Sequence, residues 1–60
     1  MKPADLSYAL ARLGWTHVTF ADYSGYDRRT IGRWINGQSA IPLLVERHID
    51  LLLAIRDRMP

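Results

Sequence analysis

Arg28, Arg29 and Arg33 stand within one ten-residue stretch, Arg28 to Gly37, that holds no acidic residue. A guanidinium is a planar fork of donors that grips phosphate oxygens, or the O6 and N7 of a guanine, in pairs. Such groups break no bonds by themselves; their chemistry is recognition of an anion or a base edge. The residues around them would build a short helix to carry them. Asp27 can cap its start, the carboxylate accepting from the free amides of Arg29 or Thr30. Ile31 and Trp34, three apart, supply a buried stripe, and Gly37 after Asn36 stops the helix. The remaining face is Arg28, Arg29, Gly32, Arg33 and Asn36, basic and polar throughout. A short helix with that face fits the major groove of double-stranded DNA. The plain alternative is a solvated surface helix rich in arginine. The framework of Ala21, Gly25, Ile31 and Trp34 around the arginines argues against it.

Charge distribution points the same way. The formal charge of the 60 residues is only +2. Residues 1–27 hold Lys2 and Arg12 against Asp5, Asp22 and Asp27, a net of −1, and residues 38–60 balance to zero. Residues 28–37 carry +3, so the whole excess lies on the predicted helix, as a local nucleic-acid footprint requires. Other chemistries find little support. There is no nucleophile–base pair, no glycine-rich phosphate loop and no pair of carboxylates with a pocket, so an enzyme is not expected. Asp50 and Asp57 read as solvated charges on one polar helix face. His17 and His48 stand 31 residues apart with no partner at ligand spacing, and there is no cysteine. Neither a metal nor any other cofactor is expected. Recognition of RNA by stacking on a sheet is excluded because Tyr8, Tyr23 and Tyr26 fall on helices or turns as packing residues. The N-terminus has no apolar core long enough for a secretory leader, and the apolar run Leu51–Ile55 is far too short to span a bilayer. A cytoplasmic protein, nucleoid-associated when bound to DNA, is the expectation.

The apolar spacing is helical throughout and predicts an all-α fold of four helices in a single domain, residues 1–60. Helix 1 is expected over 3–13, opened by Pro3, striped by Leu6, Ala9, Leu10 and Leu13, and stopped at Gly14. Thr16 caps helix 2, over 17–24, with Phe20 and Ala21 as its surest core positions. Gly25 takes the left-handed conformation that turns the chain, and Ala21, one turn earlier, is small enough for another helix to approach. Helix 3 spans 28–36. Helix 4 is opened by Pro42 and runs over 42–58. On helix 4 the side chains of Leu44, Val45, His48, Ile49, Leu51, Leu52, Leu53, Ile55 and Met59 spread over about 200°, with Arg56 inside the arc, where one small core needs little more than 100°. The surplus, chiefly Ile49 and Leu53, calls for another partner and marks 42–58 as the dimerisation helix.

This chain resembles the small phage-repressor and Cro-like helix-turn-helix family, also called the xenobiotic-response-element class. The resemblance rests on Leu13-Gly14-Trp15-Thr16, Phe20-Ala21, Gly25, Asp27 to Ile31, Arg33-Trp34, Asn36-Gly37 and Ile41-Pro42, and covers about residues 5 to 55. Ser24 departs from the aliphatic residue preferred there and Tyr26 from a small β-branched one, with Tyr23 expected to fill the space that Ser24 leaves. Ile35 replaces a polar residue, and His17 stands where the family often carries a glutamine that touches the DNA backbone. The resemblance implies a sequence-specific transcriptional regulator, foremost a repressor of a phage or mobile-element operon. An antitoxin that also binds a protein toxin, and an interaction module that keeps the fold without DNA, are the alternatives. Base readout is assigned to Arg28, Arg29, Gly32 and Arg33. Backbone contacts are assigned to Thr16, His17, Arg33, Asn36 and Gln38. Such domains pair on palindromes, so a homodimer is expected through Ile49, Leu52, Leu53 and Arg56, with Ile35 beside them.

Overall fold

A computed structural model describes residues 1–58 of the chain, in the order α1 (Pro3–Leu13), α2 (His17–Ser24), α3 (Arg28–Ile35) and α4 (Leu43–Arg58). Met59, placed by the sequence on the apolar arc of the last helix, lies outside the described residues. There is no strand among the described residues. Two boundaries differ from expectation by one residue. Asn36 closes α3 from the cap position rather than as its last residue. Pro42 precedes α4, and its carbonyl accepts the first amide bond of that helix, from Glu46 at 3.1 Å.

Each junction follows from its residues. The Lys2 amide donates to the Asp5 carboxylate at 3.0 Å, which satisfies one free donor at the start of α1. At the end of α1, Gly14 N–H reaches the Ala11 carbonyl and Trp15 N–H the Leu10 carbonyl. This crossed pair is a Schellman turn, and Trp15 follows it back onto the core. The Thr16 hydroxyl accepts from Thr19 N–H at 3.1 Å and caps α2.

The core takes side chains from all four helices: Leu6, Ala9 and Leu10, then Phe20, then Ile31 and Trp34, then Val45 and Ile49. α1 packs against both α3 and α4, while α2 packs against α3. Ala21 and Leu13 are half-buried at the margin. No buried side-chain polar atom among the described residues lacks a hydrogen-bond partner. Tyr8, expected to pack, is instead 67% exposed on α1.

Two expectations for α4 and α2 are corrected. Ile49, assigned to a dimer interface, is completely buried in the protomer's own core and has no surface to offer a partner. Leu53 is half-buried against the same core. The apolar residues that α4 leaves in solvent are Leu43, Leu44, Leu51 and Ile55. The helix is rotated so that the middle of its wide arc lies at the edge of the core, with one flank inside and the other outside. Tyr23 also fails to fill the space beside Ser24. Its ring turns outward, 4.9 Å from Trp15 and 5.4 Å from His48, and its hydroxyl shares a hydrogen bond with His48 Nε2 at 2.6 Å. An open surface groove of about 500 Å³ lies between α2 and α4.

Candidate nucleic-acid interface

The turn between α2 and α3 sets the second helix against the first. Gly25 has φ 81°, and its amide donates to the Ala21 carbonyl at 2.9 Å. A side chain at that angle would press on its own backbone, so glycine is the residue that turns here at no cost. Ser24 adds a contact that its polarity alone did not announce: its hydroxyl accepts from Tyr26 N–H at 3.2 Å. A serine bonding the amide two residues on is a recurrent turn device, and that spacing is the signal by which it could have been found. Tyr26 then lays its ring edge-to-face on Trp34, with centroids 4.8 Å apart, and fastens the turn to α3.

α3 begins as expected. Asp27 is extended, and its carboxylate accepts from Arg29 N–H at 3.2 Å. The acid nearest the arginines is thereby occupied in capping. Ile31 and Trp34 are buried, and Thr30, Gly32 and Ile35 are half-buried. Arg28, Arg29 and Arg33 are exposed. At 100° per residue, Arg28, Gly32, Arg29 and Arg33 occupy an arc of roughly 140° opposite the buried side chains. Gly32 leaves an opening in that arc: a Cβ built there meets no atom within 4 Å. The ion pairs among the described residues join the N-terminus to Glu46 and Arg12 to Asp57. Neither uses an arginine of α3, so three positive charges face solvent unneutralised.

The helix ends in a second Schellman turn. Gly37, at φ 77°, donates to the Trp34 carbonyl at 3.2 Å, and Gln38 N–H donates to the Arg33 carbonyl at 2.8 Å. That turn holds Asn36 and Gln38, both exposed, just beyond the arginine face. Thr16 and His17 are exposed at the start of α2. The Thr16 hydroxyl serves Thr19, so the amides of His17 and Val18 are the free donors at that positive helix end. Every residue expected to touch DNA is therefore on the surface, although Gly32 is only half-exposed. Leu52, from the expected pairing surface, is half-buried and Arg56 is exposed, both on the C-terminal half of α4.

Among the described residues no three of His, Cys, Asp or Glu gather where they could hold a metal ion. None of the described helices is long and apolar enough to cross a membrane. A sequence model of a family described as helix-turn-helix matches residues 6–45, two thirds of the chain. No curated protein and no solved structure matches it.

Proposed function

The chain belongs to the helix-turn-helix family, phage-repressor and Cro-like, a family of DNA-binding transcription regulators, and from that premise we propose a dimeric repressor of a phage or mobile-element operon. It would bind a palindromic operator, with α3 of each protomer in a major groove. The observation that carries this reading is the face of α3, where three exposed arginines have no acidic partner and a glycine opens a gap between them.

The roles follow from position along the helix. Arg28 and Arg29, in the first turn, take the bidentate guanine contacts, since the N-terminal end of such a helix reaches base edges. Gly32 lets the backbone approach the groove. Arg33 lies one turn on and reaches a phosphate or a flanking base, and Asn36 and Gln38 continue that line. Thr16 and His17 place the positive end of α2 against a phosphate.

One eight-residue helix spans roughly 12 Å and reads about half a turn of DNA, which is little information for a regulator. Pairing doubles the site and adds burial that a chain of this length needs. The C-terminal half of α4 supports it. Leu51 and Ile55 are exposed one turn apart, with Leu52 and Arg56 beside them. A two-fold axis would set this patch against its own copy. Leu53 contributes at most its free edge, and Ile49 acts as core. The test is selection of bound fragments from a random DNA pool, followed by footprinting. A palindromic consensus protected on two successive grooves supports the reading; recovery of unrelated sequences contradicts it.

A further inference from the structure

The turn that ends α3 joins two residues whose covalent chemistry the DNA-binding reading leaves unused. Asn36 is the chain's only asparagine, and Gly37 follows it. In that pair a backbone amide attacks a side-chain carboxamide most readily, because glycine puts no side chain in the way. We propose that Asn36–Gly37 is a modification site, at which Asn36 loses ammonia without an enzyme and becomes a carboxylate that weakens binding to DNA.

The step needs only these two residues and water. The Gly37 nitrogen attacks Cγ of Asn36 and closes a five-membered cyclic imide. The Cγ–Nδ2 bond breaks, and ammonia leaves with the proton that the Gly37 amide gives up. Water then opens the imide at either carbonyl. One opening gives aspartate at position 36; the other gives isoaspartate, with one more carbon in the main chain. The structure leaves the reacting group accessible. Asn36 is exposed, and none of the side-chain hydrogen bonds among the described residues holds its carboxamide. No acid lies between Arg28 and Gly37, and the three exposed arginines of α3 favour the negative charge that the attack builds up.

The turn sets the rate. The imide closes only when the Gly37 nitrogen eclipses Cβ across the Asn36 Cα–C bond, and the observed ψ of −2° holds the two apart. Rotation there breaks the bond from Gly37 N–H to the Trp34 carbonyl, 3.2 Å, and that from Gln38 N–H to the Arg33 carbonyl, 2.8 Å. Residues 36–38 are exposed at a helix end, where local opening takes far less free energy than unfolding. The folded chain therefore reacts, but more slowly than the unfolded one. The products act on α3 in two ways. A carboxylate at its C-terminal end opposes the helix dipole, and the added carbon of isoaspartate moves Gly37 and Gln38 off their carbonyls. On the proposed DNA surface the same charge would meet phosphate beside Arg33. That last effect rests on the DNA-binding reading; the loss of ammonia does not.

The test is prolonged warming of the purified chain at mildly alkaline pH, folded in buffer and unfolded in guanidinium chloride, with intact mass and peptide mapping. Each converted chain should gain about 1 Da, and the map should place the gain on residue 36, divided between aspartate and isoaspartate. The unfolded sample should convert about tenfold faster or more. Asn36→Gln, whose longer side chain closes its ring far more slowly, should show no gain over the same period. Folded protein that gains no mass while the unfolded sample converts fully would overturn the site. A gain mapped to Gln38, or one that persists in Asn36→Gln, would do the same. The consequence is read from Asn36→Asp, which reproduces one product and should bind random-sequence DNA roughly three- to tenfold more weakly at low salt. Equal affinity of that variant and the parent chain would overturn the consequence. A parent chain that binds no DNA would sink the regulator reading and the consequence with it, whereas the mass gain would still stand.

Discussion

Gly32 separates two demands on the same residue. In a helix interior glycine loses more backbone freedom on folding than alanine does, and a methyl group here would meet open space. Gly32→Ala should therefore stabilise the free protein by about 0.5–1 kcal/mol, seen as a higher midpoint in urea. It should also weaken DNA binding, because the methyl group would stand where the groove wall must come. Unchanged affinity in the stabilised variant would remove Gly32 from the interface. The role proposed for Arg33 differs from that of its neighbours. As a phosphate ligand it contributes equally on every sequence, so Arg33→Ala should weaken specific and random DNA alike and flatten the salt dependence by about one unit of slope. A changed base preference with an unchanged slope would move Arg33 into the readout group.

At the scale of elements, the angle between α2 and α3 hangs on Gly25. Its φ of 81° is poorly tolerated by any residue with a side chain. Gly25→Ala should lower stability by about 1–2 kcal/mol, measured by thermal unfolding. No loss would mean that the turn relaxes freely and does not set α3. The elements that could be read from sequence are those defined by local chemistry. Thr16 and Asp27 have the side chains that cap, Gly14, Gly25 and Gly37 have the freedom that stops a helix, and Ile31 and Trp34 have the right period. These are contacts within a few residues, so spacing alone places them. The rotation of α4 is another matter. Its apolar arc is too wide to reveal which flank faces inward, and only packing against α1 decides that Ile49 is core while Leu51 and Ile55 are free. The same holds for Tyr23. Its residue type allowed it to fill the gap beside Ser24, but partners 8 and 25 positions away, Trp15 and His48, draw it outward.

For the whole molecule, the family match ends at residue 45, two residues beyond the first of α4, so the pairing surface proposed on the C-terminal half of α4 lies outside the matched segment. Ile55 is 51% exposed there and does not belong to the core. Ile55→Glu should keep the helical fold of the protomer but lower its unfolding midpoint by what pairing contributes, since it would set two like charges against each other across the proposed two-fold axis. Sedimentation should then show a monomer for the variant and a dimer for the parent chain; equal masses for both would place the pairing surface elsewhere or deny it. The charge pattern, the capped helix and the family together centre on one claim, that Arg28 and Arg29 read bases. The most direct measurement compares the parent chain with Arg28→Ala and Arg29→Ala on the selected operator and on random DNA at one salt concentration. Each substitution should cost about 1–3 kcal/mol on the operator, much less on random DNA, and relax the preference at one base pair per half-site. Equal losses on both DNAs, with the consensus unchanged, would contradict base readout by this helix face.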